Sequence, residues 1–148
     1  MITRLTHTFI YVLNLDRAID FYTKKLGLKI HTNIIVNGER WVTLFSPEQK
    51  ELELLLVVVE EGMIFKSNQV KQMQQLIKEQ TLSFGVFECV NLLAMYEELK
   101  AKGVEFCIEP YQNNELMEYE AAFFDDSGNW FRLTERKGKV QKNVSAGI

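Results

Sequence analysis

Cysteine, long apolar runs and excess positive charge are all scarce in this chain, and each shortage removes a class of protein. The only two cysteines, Cys89 and Cys107, lack C-x-x-C spacing. They form neither a disulfide framework nor a zinc site, and both are expected as reduced core residues. The longest apolar run, "LLLVVV" at 54–59, is far too short to cross a bilayer, and the start "MITRLTHT" has no apolar targeting core. A cytoplasmic protein with no membrane partner is expected. The formal net charge is −3, and no Lys- or Arg-rich face precedes the last dozen residues, so nucleic acid is not an expected partner. There is also no P-loop, no dinucleotide glycine motif and no G-x-S-x-G elbow. What is present is an ordinary globular composition: 148 residues, 47% hydrophobic and 25% charged, enough to bury one core.

Alternation and punctuation divide the chain. "LTHTFIYV" at 5–12 reads as a strand carrying His7, Phe9 and Tyr11 on one face. In "NLDRAIDFYTKKLGLKI", Ala18, Ile19, Phe21, Tyr22 and Leu26 fall at helical spacing, and Gly27 stands where a C-terminal cap belongs. "LKIHTNIIV" and "RWVTLFS" are strands joined through Asn37-Gly38, a hairpin turn. "LELLLVVV" is a third strand, completing β-α-β-β-β.

That order repeats. "LSFGVFECV" predicts a strand, "NLLAMYEELKAKG" a helix ending at Gly103, and "VEFCIEP", "EYEAAFF" and "NWFRLTE" three more strands. In this alignment Gly27 answers to Gly103, His7 to Phe84 and Glu53 to Arg132. The expected organisation is a first βαβββ module at 1–60, a helical linker at 61–80 capped by Ser67, a second module at 81–136 and a polar tail at 137–148. The acidic pairs Glu60-Glu61 and Asp125-Asp126 read as solvated loop charges, and Glu97, Glu98 and Lys100 as a solvated helix face. His31 receives no role.

With "LTHTFIYV", "DRAIDFYTKKLGL", "KELELLL", "YEELKAKGVEF" and "DDSGNWFRLTE" in this order, the chain resembles the vicinal oxygen chelate superfamily. That superfamily includes glyoxalase I, bleomycin-resistance proteins and extradiol dioxygenases. The resemblance covers about residues 3–136. It implies an α+β fold of two tandem β-α-β-β-β modules forming a curved mixed sheet around a cavity, commonly as a homodimer. Such a fold hosts several chemistries.

Metal-using members hold a divalent ion with a His on the first strand, an acid or amide on the fourth, and the corresponding pair of the second repeat. The resemblance carries the first two onto His7 and Glu53, and the others onto Phe84 and Arg132. Glu135 lies three residues beyond Arg132 and so on the opposite strand face. A guanidinium repels a cation, and two ligands hold a divalent ion too weakly, so neither metal nor other cofactor is expected.

Glu53 stands among apolar residues and needs a cation, which predicts an Arg132–Glu53 pair with His7 alongside. The alternatives are a core or rim histidine bonded to backbone for His7 and a solvated strand residue for Arg132. Phe9, Tyr11, Leu55, Phe84 and Trp130, with Trp41 and Tyr119, are candidates to line a ligand cavity, although any one of them can equally be core. The reading that follows is a metal-independent small-molecule-binding protein of the bleomycin-resistance type, its ligand carrying an anionic or carbonyl oxygen for Arg132. A second reading is a glyoxalase-like lyase or isomerase in which Glu53 or His7 moves a proton and Arg132 stabilises an oxyanion. A third, a metal-dependent dioxygenase or thiol transferase, needs ligands this chain lacks.

Overall fold

A computed structural model describes residues 1–136. The fold is α+β, with two four-stranded mixed sheets, and it divides into two compact units. Among the described residues, one comprises Met1–Phe84 with Asp125–Trp130; the other comprises Gly85–Phe124 with residues 131–136. Among the described residues no helix is long and apolar enough to cross a membrane.

In the first unit, β1 (His7–Val12) leads through Asn14 into α1 (Leu15–Asp20). The Asn14 side chain accepts from Arg17 N at 2.9 Å, satisfying one of the donors orphaned at a helix start. The helix then widens into a single π turn over Phe21–Lys25. Strands β2 (Lys29–Val36) and β3 (Glu39–Ser46) meet at Asn37 and Gly38, whose φ values of 50° and 79° give the left-handed turn that a two-residue hairpin requires. With β4 (Gln49–Val58) the sheet order is β1-β4-β3-β2, and β1 runs parallel to β4 with His7 opposite Glu53 and Phe9 opposite Leu55. One sheet face buries Ile10, Val12, Val42, Leu44 and Leu56, and Ala18, Phe21 and Tyr22 are buried on the helix. Each such large side chain removed from water contributes roughly 1.5–3 kcal/mol. Period-two alternation sends His7, Phe9, Tyr11, Glu53, Leu55 and Val57 to the other face.

Helix α2 (Ser67–Lys78) begins at the expected cap residue itself, so the N-cap is Lys66 and not Ser67. Ser67 is its first helical residue, and Gln69 Oε1 reaches back to accept from Lys66 N at 2.9 Å. The segment 125–130 corrects another expectation. Asp125 is buried, not solvated. Its Oδ1 accepts from the backbone N–H groups of Ser127, Gly128 and Asn129, each at 2.9 Å. Asn129 Nδ2 donates to the Tyr11 carbonyl at 2.7 Å, and Ser127 Oγ accepts from Leu13 N at 2.9 Å, so the turn is stitched to the end of β1.

The second unit is built around α3 (Leu92–Ala101), capped by Asn91, with β5 (Ser83–Cys89), β6 (Phe106–Asn113), β7 (Glu118–Phe124) and β8 (Trp130–Glu135) in the order β5-β8-β7-β6. Phe87, Phe123 and Phe131 stack in its core. Glu135 Oε1 accepts from Leu92 N at 3.0 Å, which places it on the helix side of β8 and gives α3 an acid at its N-terminus. Cys89 is buried as expected, but Cys107 is exposed on the edge strand β6. The expected tail at 137–148 lies outside the described residues.

The two sheets share one topology, but the alignment read from the sequence is two residues out on the last strand. Val59 N bonds Val12 O just as Arg136 N bonds Cys89 O, which sets Val12 against Cys89 and Val59 against Arg136. The helix caps Asn14 and Asn91 agree with this matching. Trp130 therefore stands at the place of Glu53, and Arg132 at the place of Leu55. A two-residue slip keeps every side chain on its own face, so alternation alone could not detect it.

Candidate functional site

On the open face of the first sheet, one carboxylate gathers donors from three neighbouring strands. Thr43 Oγ1 on β3 donates to Glu53 Oε1 at 2.7 Å. His31 Nδ1 on β2 lies 2.7 Å from the same oxygen, and His7 Nε2 on β1 lies 3.2 Å from Oε2. The Thr43 hydrogen bond, helped by the two imidazoles, outweighs burial and holds the Glu53 carboxyl below its ordinary range. His7 and Glu53 come together because their strands pair in parallel register. His31 arrives by another route: the β2–β3 register shifts between Ile30 and Thr32, so His31 is the extra residue of a bulge, which turns its side chain out of the regular alternation. That irregularity is why sequence reasoning gave His31 no role.

Beside this cluster on the same face is a cleft of 490 Å³, within the size range of drug-like ligand sites. Trp41, Leu55, Val57, Met63, Ile64 and Phe65 line it, with Glu39, Arg40 and Glu60 among its polar residues. Leu55 links the two regions, since it pairs with Thr43 across the strands and follows Glu53 by two along β4. Of the expected ligand residues, Trp41 and Leu55 line this cleft. Tyr11 packs edge-on against both Phe65 and Phe84 at 5.5 Å, and Phe9 lies 6.4 Å from Tyr11. The Trp130 indole N–H reaches the Thr81 carbonyl at 3.5 Å.

Arg132 has other partners than the one expected. Its Nη2 contacts Glu120 and lies 3.2 Å from Glu118 Oε2, both on β7. Glu120 also accepts from the Tyr111 hydroxyl and, at 3.2 Å, from Asn113 Nδ2. Burial pushes the Glu120 carboxyl up, but the hydrogen bonds from Tyr111, Arg132 and Asn113 outweigh it and keep the group below its ordinary range. The charge that Glu53 and Arg132 were expected to draw from each other thus comes, for each, from within its own sheet. One guanidinium set against two carboxylates stays acidic overall, so this cluster has no surplus positive charge for an anionic ligand. Tyr119 alternates with Glu118 and Glu120 and shares the face of Phe123, not that of Arg132.

The metal implied by the resemblance does not fit these residues. The donors of the first repeat are present, but the two imidazoles take opposite oxygens of Glu53 instead of converging with it. The repeat-related positions carry Phe84 and Trp130, neither of which can ligate. Among the described residues no group of three or more His, Cys, Asp or Glu is disposed to hold a metal ion.

Comparison with known proteins agrees with this architecture. The model of the glyoxalase/bleomycin resistance protein/dioxygenase superfamily matches residues 4–133, and the chain belongs to that superfamily. Among its relatives, the Bacillus subtilis protein YurT is 32% identical over 135 residues, covering 90% of this chain and 99% of its own. The crystal structure of UcmS2 superposes with a TM-score of 0.86 at 34% identity, covering 92% of this chain and all of that one. TnmS3, an antibiotic-binding protein from Streptomyces sp. CB03234, shares the fold with a TM-score of 0.68 at 19% identity, covering 92% of this chain and 98% of its own.

Proposed function

We propose that this protein is a metal-independent small-molecule-binding protein of the bleomycin-resistance type, acting in the cytoplasm as a homodimer. Its ligand lies on the Glu53 face of the first sheet. The observation that carries this reading is the 490 Å³ cleft, walled by aromatic and aliphatic side chains and adjoining a few convergent polar groups. Antibiotic binding by the fold relative TnmS3 is consistent with it. A carboxylate held below its ordinary range is a weak base, so the state of Glu53 favours binding over the lyase or isomerase reading. Dimer formation is supported by β2, an edge strand on which Ile34 and Ile35 are exposed, since a bare apolar edge invites pairing.

The test is a thermal-shift screen of small organic molecules, with and without chelator, alongside light scattering. Hits whose stabilisation survives chelation, on a particle of twice the chain mass, are expected. A screen that yields stabilisation only with added divalent metal overturns the reading.

A further inference from the structure

The charges around the cleft identify the kind of molecule it takes. Its floor is apolar, formed by Trp41, Leu55 and Val57, and Met63, Ile64 and Phe65 close one side. The loop bearing those last three is held in a tight turn: Gly62 N donates to the Phe65 carbonyl at 3.1 Å, and the Met63 N–H reaches Glu39 Oε1 at 3.4 Å. Glu39 occupies the space beside Gly62 where a side chain would stand, since a Cβ there would fall 2.4 Å from Glu39 Oε1. A carboxylate is thereby fixed at the mouth of an apolar slot.

Among the described residues that line the cleft, the other ionisable groups do not cancel it. Glu60 adds a second carboxylate to the lining. The one guanidinium there, Arg40, is spent on Asp16, with Nη1 2.7 Å from Oδ1. Counted with Asp16, three carboxylates face one cation. Trp41, 41% exposed, offers an indole to the slot, and indole is the aromatic group that attracts a cation most strongly.

We infer that the cleft binds an organic cation, a flat apolar body seated against Trp41 and Phe65 with its positive charge towards Glu39 and Glu60. This rests on the small-molecule reading above and adds the sign of the ligand's charge. The ionised Glu53 at the neighbouring end of the same face repels an anion and so acts in the same direction.

The test uses three probes of one shape at neutral pH: 9-aminoacridine as the cation, acridine as the neutral form and acridine-9-carboxylate as the anion. Each is titrated by calorimetry into the parent, Glu39→Gln, Glu60→Gln and the double variant. Both glutamates are exposed, and melting curves verify that all four proteins fold. The cation is expected to bind at least tenfold more tightly than neutral acridine. Raising the salt should narrow that gap, and the double variant should lose most of it. Binding of all three probes without preference, or a preference that persists in the double variant, overturns the inference and leaves small-molecule binding standing. If no probe binds and the broader screen also fails, both fall.

Discussion

The Tyr22 hydroxyl, in the π turn that follows α1, donates to Asp125 Oδ2 at 2.6 Å across 103 residues of sequence. Burial, and then the Asp125 charge, push the Tyr22 hydroxyl well above its ordinary value, so it is a donor at neutral pH. Asp125 also holds three backbone N–H groups of its own turn. Asp125→Ala strands this set of buried donors and is expected to lower stability by about 3 kcal/mol, whereas Tyr22→Phe, which removes one donor, should cost about 1–2 kcal/mol. Urea denaturation of both variants provides the comparison. Equal, small losses would mean that the turn is held some other way.

Asp126, next in sequence, behaves oppositely. Burial, and then the charge of Asp125, push its carboxyl up to about 6, and its Oδ1 is buried without a hydrogen-bond partner. A carboxyl whose folded pKa exceeds its unfolded value binds protons more tightly in the native state, so its ionisation lowers stability as pH rises from about 4 through about 6. Partial exposure screens the effect, leaving about 1–2 kcal/mol. Asp126→Asn should therefore melt higher than the parent at pH 7.5 and match it at pH 4. A constant difference at both values would show that ionisation is not the cause.

Glu53 titrates in the other direction, because the Thr43 hydrogen bond holds its folded carboxyl below the ordinary range. Its contribution to stability is present above the unfolded carboxylate pKa and is lost only as pH falls through the lowered folded value. Removing the hydrogen bond with Thr43→Val should move that loss to higher pH. Carbon-detected NMR titration of the glutamate carboxyls reports the shift directly, and an unchanged Glu53 curve would count against the assignment of the bond.

Chelation should leave the melting temperature unchanged. A bound structural metal stabilises the state that holds it by about 2.7 kcal/mol at a hundredfold excess over its dissociation constant, enough to see in any melt. Near-stoichiometric zinc, nickel, manganese or iron in the purified protein, or a lower melting point in chelator, would return His7, Glu53 and His31 to consideration as ligands.

Gly128 tests the close approach that closes the 125–130 turn. Its φ is +114°, and a Cβ there would fall 2.6 Å from the Ile77 carbonyl oxygen. Gly128→Ala should cost about 2–3 kcal/mol through backbone strain and the clash, whereas Gly85→Ala, which meets nothing within 4 Å, should be mild. Similar melting points for the two variants would contradict this packing.

By itself the sequence determined what depends on neighbours along the chain. Asn14 and Asn91 start helices, Gly27 and Gly103 follow them, Asn37-Gly38 turns a hairpin, and alternation marks the strand faces. These are local choices of backbone geometry, which is why the β-α-β-β-β repeat was legible, as were His7 and Glu53 as two members of the polar cluster. Tertiary structure decided the rest, and in each case the deciding contact is distant in sequence. A two-residue slip preserves strand faces, so only the backbone hydrogen bonds place Trp130 rather than Arg132 opposite Glu53 in the repeat. The bulge that carries His31 to Glu53 is a property of the β2–β3 pairing, not of "KIHTN" alone. Asp125 resembled a solvated loop acid until Tyr22, far away in the chain, closed over it. Burial is a property of packing, and no local pattern encodes which loop carboxylate the core will cover.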